Sequence, residues 1–240
     1  MQCVVLAGGL GTRMRPLTDT VPKILVPVLG VPFAARQLQL LAQQGYDDVV
    51  VCVGHRADQV REFIGDGRQF GVRVEYVDEG EQLRGTGGAL RLAHDRDVLA
   101  DTFAVIYGDS YLPADPTPVW RAFESDPAPV LMTVFRNRID PELNNVVFRG
   151  GRILRYHKGD RTPDMDHIDW GLSLFERAVI PERVPDDVHV DLASVYESLS
   201  GDGELAGFEV TDRYFEVGSP KGLYDLETWL REHAAAVPPS

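Results

Sequence analysis

The chain has 240 residues and a formal net charge of −13, from 24 Lys and Arg against 37 Asp and Glu. This balance disfavours nucleic acid or an anionic membrane as a partner, and it requires that any anionic ligand be held by local cations. The apolar content of 44% suffices for a globular core, and no stretch is apolar enough to span a bilayer. No basic region precedes a signal core, and Cys3 and Cys52 lie in valine-rich segments, so we expect a cytoplasmic protein with two buried, reduced thiols.

Apolar segments alternate with helical patterns through the first half of the chain. The pattern predicts strands at 3–7, 48–53, 72–77 and 103–107. It predicts helices at 33–44 and 57–64, and a further helix at 87–94. Because this order is that of repeated βα units, we expect an α/β fold with a doubly wound, mainly parallel, Rossmann-like sheet.

The second half is less regular and predicts a smaller, mixed β region. Strands are expected at 130–135, 146–148, 152–156, 169–175, 208–210 and 214–217, and helices at 192–200 and 220–232. No linker or repeat divides the chain. We therefore expect one domain over 1–233, with halves 1–112 and 113–233, followed by a frayed tail at 234–240.

A glycine-rich loop, Gly8-Gly9-Leu10-Gly11, follows the first predicted strand. Glycines leave a concave row of backbone N–H groups bare, which suits phosphate oxygens, and Arg13 and Lys23 add a forked cation and a point charge. No Gly-Lys-Ser/Thr closes the loop, so it is not a Walker A motif. Met14 stands where a dinucleotide fingerprint has its third glycine, which disfavours an oxidoreductase. The loop predicts a phosphate ligand.

Two further motifs follow predicted strands. Asp109 comes directly after a buried strand, where a carboxylate is typical of Mg²⁺ ligands; the alternative is a turn or cap residue. The turn at 83–90 contains three glycines that would let the backbone approach a flat ligand, although an ordinary helix start with Thr86 as N-cap fits as well. Ligands of such sheets lie at the carboxyl ends of the strands. Because Gly8–Arg13, the Glu79 region and Gly108-Asp109 all lie at such ends, they indicate a single site.

The segments GLGTRMRPLT at 9–18 and PKILVPVLGVP at 22–32 together resemble the amino-terminal signature of the sugar-1-phosphate nucleotidylyltransferases. This resemblance implies the nucleotide-diphospho-sugar transferase type of fold. It also implies Mg²⁺-dependent transfer of a nucleoside monophosphate from a triphosphate to a sugar-1-phosphate, with release of pyrophosphate. A non-catalytic regulatory or binding subunit of the same fold is the alternative.

The resemblance implies a nucleotide site built from the glycine loop, an acidic position and the second glycine-rich turn. Its residues are Leu6, Ala7, Gly8, Gly9, Gly11, Thr12, Arg13, Lys23, Glu79, Gly85, Thr86, Gly88 and Gly108. The segment 81–88 is most similar to the heptose- and mannose-phosphate guanylyltransferase branch. We therefore expect GTP, with UTP and dTTP left open.

The remaining implied residues concern the metal and the acceptor. Asp109 and Glu216 are the implied metal ligands, with Glu216 standing where the family usually has aspartate. Arg13, Lys23, Asp109 and Lys158 are the implied catalytic residues, with Lys158 meeting the sugar phosphate. The implied acceptor-sugar residues are Asn144, Asn145, Asp169 and Gly171. We expect a monomer or homodimer whose partners are its two substrates.

Two other chemistries lack sequence support. The six histidines are scattered without i,i+4 pairs or CxxC partners, which disfavours a zinc site. Ser173 and Ser219 lack the nucleophile-elbow signature, which disfavours a hydrolase triad.

Overall fold

The computed structural model describes residues 1–80, 82–138, 140–186 and 188–233, so the predicted tail at 234–240 lies outside the described residues. The strands in this part of the chain are β1 Gln2–Leu6, β2 Pro27–Val28, β3 Val31–Pro32, β4 Asp48–Val53, β5 Arg73–Asp78, β6 Thr102–Tyr107, β7 Ser110–Tyr111, β8 Val130–Arg136, β9 Val146–Arg149, β10 Arg152–Tyr156, β11 His167–Glu176, β12 Leu205–Glu209 and β13 Phe215–Glu216. The α-helices are α1 Phe33–Gln43, α2 Ala57–Ile64, α3 Gly85–Asp95, α4 Thr117–Ser125, α5 Val179–Arg183, α6 Leu192–Asp202 and α7 Pro220–Glu232.

The chain divides into two compact units. Unit 1 contains Met1–Leu83, Tyr107–Pro113 and the segment from Tyr214 onward, and unit 2 contains Arg84–Ile106 and Ala114–Arg213. The single domain remains a prediction. The division differs from the two predicted halves, because the segment that carries Glu216 and α7 belongs with the amino-terminal residues.

Unit 1 is built on parallel strands. β1 pairs with β4, and β4 pairs with β5, both in parallel. Every residue of β1 is buried, as in parallel strands that are covered on both faces. α1 and α2 supply part of this cover through Leu38, Leu41, Val60 and Ile64, each at most 3% exposed. The carboxyl ends of these strands hold the glycine loop and Glu79.

Unit 2 contains mixed pairings. β11 is antiparallel to both β6 and β8, whereas β12 runs parallel to β8. β10 is antiparallel to β12 and to β9. Phe175 and Leu192 are fully buried, so residues of both the sheet and α6 contribute to the core of this unit. This arrangement agrees with the mixed β region expected from the second half of the sequence.

The structure contains elements that the sequence did not predict. α4 and α5 are unpredicted helices, β2, β3 and β7 are unpredicted two-residue strands, and β12 spans Leu205–Glu209 rather than 208–210. In α4, prolines at 116 and 118 obscure a short apolar face formed by Val119, Trp120 and Phe123. Proline is tolerated in the first turn of a helix, where its missing N–H has no intrahelical partner.

The remaining expectations concern the membrane and the cysteines. In the described part of the chain, no helix has both the length and the apolarity needed to cross a bilayer. Cys3 and Cys52 are both buried in strands, as expected, and burial raises the pKa of the Cys3 thiol.

Candidate active site

The glycine loop is held at both ends. Ala7 N donates to Cys52 O at 2.9 Å, which fixes the exit from β1. At the other end Gly11 has φ +63°, a left-handed conformation that favours glycine, and its carbonyl accepts a hydrogen bond from Thr18 Oγ1 at 2.8 Å. A Cβ on Gly11 would lie 3.1 Å from Lys23 Cβ, so the loop ends beside this lysine.

Gly8 brings the loop next to Glu79. A Cβ on Gly8 would lie 2.1 Å from Glu79 Oε1, so only glycine leaves room for this carboxylate in its present position. Glu79 directly follows β5, and its N–H donates to Val53 O at 2.9 Å. The structure therefore brings together two of the residues that the sequence assigned to the nucleotide.

Four charged side chains lie together in unit 1. Arg13 Nη2 pairs with Glu216 Oε1 at 2.9 Å, and Lys23 Nζ pairs with Asp109 Oδ2. Glu216 Oε1 and Lys23 Nζ lie 2.0 and 3.1 Å from the point that a Cβ on Gly218 would occupy, which links the two pairs. We call Arg13, Lys23, Asp109 and Glu216 the charged cluster. Its inner pair is largely buried, with Lys23 and Asp109 side chains 17% and 16% exposed.

Backbone hydrogen bonds hold the turn that carries Asp109 next to the strand that carries Glu216. β7 and β13 are antiparallel, with Glu216 opposite Ser110. Val217 N donates to Asp109 O at 2.7 Å, and Gly108 N donates to Leu6 O at 2.9 Å. A Cβ on Gly108 would lie 2.9 Å from Ala7 Cβ, so glycine is needed for this close approach.

The donor set of the charged cluster fits magnesium. Mg²⁺ prefers oxygen ligands and uses one or two protein carboxylates, with phosphate and water completing its shell. Asp109 and Glu216 offer two such carboxylates, and the longer arm of Glu216 reaches the cluster that Asp109 shares. A closed structural metal site needs three or more protein ligands. Among the described residues, no group of three or more His, Cys, Asp or Glu side chains is arranged to hold a metal.

In unit 2, α3 begins at Gly85, and its first turn packs against Val190. Gly87 N and Gly88 N donate to Val190 O at 2.8 and 3.2 Å. These amides had been expected to face a flat ligand, but a backbone carbonyl already occupies them. The nucleotide roles of Gly85 and Gly88 remain predictions, and the Gly88 N–H is not the group that would perform them.

Replacing Gly85 with alanine is expected to destabilise the protein by roughly 1–3 kcal/mol from backbone strain alone. Gly85 has φ +76°, and its Cβ would lie only 2.5 Å from Val190 O. Gly80→Ala is the matched control, because Gly80 has φ +69° with nothing within 4 Å of its Cβ. Urea unfolding should show the larger loss for Gly85→Ala, and equal losses would contradict the packing role.

Thr86 is not the N-cap of α3 but a link to α6. Its hydroxyl donates to Asp191 Oδ1 at 3.1 Å and accepts from Leu192 N at 2.8 Å. Asp191 is the N-cap of α6, since its side chain accepts from Ala193 N. Sequence reasoning missed Asp191, although an aspartate directly before a predicted helix is a typical N-cap signal.

Asp191 also holds Lys158. Lys158 Nζ pairs with Asp191 Oδ2 at 3.0 Å. Partial burial opposes ionisation of Asp191, but the hydrogen bond from Ala193 N–H and the Lys158 ammonium outweigh it and keep the pKa of this carboxyl below its ordinary value. The lysine assigned to the sugar phosphate is therefore oriented by a carboxylate from another element.

The predicted acceptor residues lie around β11. Asn145 Oδ1 accepts from Asp169 N at 3.1 Å, and Asp169 Oδ1 accepts from Gly171 N at 2.8 Å. Asn144 differs from expectation: it is 5% exposed and its Nδ2 donates to Met165 O, so the donor expected for a sugar hydroxyl is used inside the protein. Asp169 and Asn145 form a connected pair, whereas Asn144 is part of the core.

Burial raises the pKa of Asp169 to about 6, although the Gly171 N–H and the Lys158 charge act in the opposite direction. The native state therefore keeps a proton that the unfolded chain releases near its ordinary pKa of 3.8. Relative to Asp169→Asn, the free energy of unfolding is expected to fall as the pH rises from about 4 to about 6. Denaturation at a series of pH values measures this, and parallel curves for the two proteins would contradict it.

The structure thus distributes the predicted residues between the two units. The loop residues Leu6, Ala7, Gly8, Gly9, Gly11 and Thr12, together with the charged cluster, Glu79 and Gly108, belong to unit 1. Gly85, Thr86, Gly88, Asn144, Asn145, Lys158, Asp169 and Gly171 belong to unit 2.

Parallel strands that end in a glycine loop, beside paired cations and carboxylates, define an α/β protein with a candidate phosphate site. The model of the nucleotidyl transferase family matches residues 2–228. The chain belongs to this family, and the resemblance found in the sequence is confirmed.

Two relatives have the same identity to this chain but different substrates in their names. A UTP–glucose-1-phosphate uridylyltransferase from Synechocystis is 30% identical over 208 residues, which cover 80% of this chain and 53% of the relative. A mannose-1-phosphate guanylyltransferase from Mycobacterium tuberculosis is 30% identical over 226 residues, covering 92% and 62%. The chain spans only about half to three fifths of the length of these relatives.

Solved structures agree with the fold. A putative glucose-1-phosphate thymidylyltransferase from Bacillus anthracis superposes with a TM-score of 0.85 at 23% identity, covering 97% of this chain and 96% of the other. An inositol-1-phosphate CTP transferase from T. maritima gives a TM-score of 0.79 at 23% identity, with 96% of each chain covered. At this identity the likeness concerns the fold alone, and it confirms the predicted fold class.

Proposed function

We propose that this protein transfers a nucleoside monophosphate from a nucleoside triphosphate to a sugar-1-phosphate and releases pyrophosphate. The charged cluster beside the glycine loop carries the proposal. It combines two phosphate-binding cations with two carboxylates, and membership of the nucleotidyl transferase family supports it. Both relatives described above are named for reactions of this class.

The proposed reaction requires that negative charge be neutralised, and it does not require a general base. The second pKa of a phosphate monoester is near ~6, so the attacking sugar phosphate is already largely ionised at neutral pH. Two like charges ~4 Å apart repel by roughly 4 kcal/mol at an effective dielectric of about 20. The groups that this chain must supply are therefore cations and metal ligands.

Each member of the charged cluster has a role in this scheme. Arg13 and Lys23 bind the triphosphate and neutralise the charge that develops on the departing pyrophosphate. Asp109 and Glu216 would hold Mg²⁺, which would supply positive charge to phosphate oxygens. With these carboxylates engaged by the metal, Lys23 and Arg13 would be available to phosphate oxygens.

Unit 2 provides the acceptor residues of the proposal. Lys158, oriented by Asp191, binds the phosphate of the acceptor. Asp169 accepts hydrogen bonds from ring hydroxyls, which it does best when ionised, above pH about 6. The acceptor is a hexose, heptose or cyclitol phosphate.

GTP is the nucleotide that the chemistry of Glu79 favours. An ionised carboxylate only accepts hydrogen bonds, and guanine presents adjacent N1–H and N2–H₂ donors. Uracil and thymine present one N–H between two carbonyl oxygens, and a carboxylate repels these oxygens. Glu79 lies beside Gly8 of the glycine loop, and the hydrogen-bond chemistry of its carboxylate supports GTP over UTP or dTTP.

The test is a matrix of GTP, UTP, dTTP, CTP and ATP against mannose-, glucose-, heptose- and inositol-1-phosphates, scored by pyrophosphate release with Mg²⁺. We expect release with at least one pair, strongest with GTP, and its loss when the metal is chelated. Nucleotide binding without release from any pair would instead support a non-catalytic subunit of the same fold.

A further inference from the structure

The turn that presents Asp109 is bracketed by one side chain from α1. Gln37 Nε2 donates to Tyr107 O at 2.9 Å and to Ser110 O at 2.8 Å. These two carbonyls stand on either side of Gly108 and Asp109 in the chain. The amide of Gln37 therefore links the end of β6 to the start of β7, on either side of the turn that carries Asp109.

Glutamine is an unusual choice for this position in a helix. Gln37 is 1% exposed, and its neighbours on the buried face of α1 include Phe33, Leu38 and Leu41. Gln37 Oε1 has no hydrogen-bond partner among the described residues. A buried, unpaired polar atom is destabilising, and leucine or methionine would avoid it. The two hydrogen bonds to the turn offset this penalty.

Only an uncharged side chain with two N–H donors on one atom can donate to both carbonyls in this way. Leucine or methionine would leave both carbonyls without Gln37 as donor, and an ionised glutamate would place negative charge against them. A lysine would place an uncompensated charge in the core. The amide of Gln37 thus serves to hydrogen-bond the turn, and not to pack α1 against the core.

We propose that Gln37 is a positioning residue for Asp109: it fixes the turn at Tyr107–Ser110 so that the carboxylate stays in the charged cluster. The inference rests on the proposed function, in which Asp109 is a metal ligand. Replacing a residue that orients a metal ligand through hydrogen bonds typically lowers metal affinity or activity by 10–100-fold.

Gln37→Met tests this with Gln44→Met as its matched control. Gln44 is the C-cap of the same helix, and its Nε2 donates to Leu112 O at 2.7 Å, two residues beyond Ser110. Both changes remove side-chain hydrogen bonds to the same segment, but only Gln37 spans Asp109. We expect Gln37→Met to raise the Mg²⁺ concentration for half-maximal pyrophosphate release roughly tenfold. The KM for the sugar phosphate should stay within about twofold, and Gln44→Met should leave the Mg²⁺ requirement unchanged.

Gln37→Glu provides a graded second variant. A carboxyl that faces two carbonyls is expected to stay protonated and to donate one hydrogen bond instead of two. The Mg²⁺ requirement should therefore rise in the order native, Gln37→Glu, Gln37→Met. Glutamate also preserves the shape of the side chain, so it keeps the test usable if methionine prevents folding.

Amide hydrogen exchange of the unliganded protein provides a readout that does not depend on activity. We expect faster exchange over residues 108–111 in Gln37→Met and unchanged exchange there in Gln44→Met. If the exchange rates differ in this way but the native protein releases no pyrophosphate, the proposed function fails while the bracket stands. Two results would overturn the positioning role. One is that Gln37→Met needs the same Mg²⁺ concentration as the native protein, and the other is that the amides of residues 108–111 exchange at the same rate in both methionine variants.

Discussion

Replacing Asp109 with asparagine is expected to lower kcat for pyrophosphate release by roughly 10²–10⁴-fold. Asparagine keeps the shape of the side chain but removes the charge that would hold the metal. Lys23 loses its carboxylate partner and becomes available to the triphosphate. The KM for the nucleotide should therefore stay the same or fall while kcat collapses, and steady-state kinetics at saturating Mg²⁺ separates the two quantities.

Asp225→Asn is the control for this experiment. Asp225 also pairs with a lysine of unit 1, since its Oδ2 lies 2.8 Å from Lys221 Nζ on α7. Asp225 is not a member of the charged cluster, and its partner Lys221 is 84% exposed, so we expect a kcat within about twofold of the native value for this pair. If Asp109→Asn kept most of its kcat while remaining folded, the metal-ligand role of Asp109 would have to be abandoned.

Lys158→Ala is expected to raise the KM for the sugar phosphate roughly tenfold to hundredfold, because a hydrogen bond to a charged group contributes about 1.5–3 kcal/mol. The KM for the triphosphate should change little. The change also removes a positive charge near Asp169, so the pKa of that carboxyl should move above about 6. Steady-state kinetics with each substrate varied, together with NMR titration of Asp169, measures both effects.

Arg155→Ala controls for the loss of a neighbouring cation, because Arg155 lies in β10 and Lys158 follows this strand. Arg155 Nη2 pairs with Asp160 Oδ2 at 2.9 Å on the surface of unit 2. We expect native KM values for both substrates from this variant. Equal losses of sugar-phosphate and triphosphate binding in Lys158→Ala would argue against an acceptor role for the lysine.

The parts of the site that are local in sequence could be predicted from it. The glycine loop, Arg13 and Lys23 lie within one short segment, where a buried strand that breaks into glycines has a direct physical meaning. Asp109 could be found because it follows a buried strand. Alternating apolar segments likewise predicted the parallel strands of unit 1 to within one or two residues.

The parts that depend on distant contacts could not be predicted. Gln37 and Asp191 are polar residues whose importance comes from carbonyls and cations far away in the chain, and no local pattern marks those partners. Asn144 has the side chain of a sugar ligand, but tertiary packing buries it against Met165. In the same way, only the folded chain reveals that the glycines of α3 serve packing against Val190.

The discontinuity of unit 1 bears on the order in which the nascent polypeptide matures. The glycine loop is translated before unit 2, whereas Glu216 and α7 are translated only after all of unit 2. Because domains made early generally fold as they are synthesised, unit 2 can acquire its core while unit 1 still lacks its closing strand. Ribosome-bound intermediates would thus carry the glycine loop but not Glu216, and the charged cluster would be completed only after unit 2 has been made.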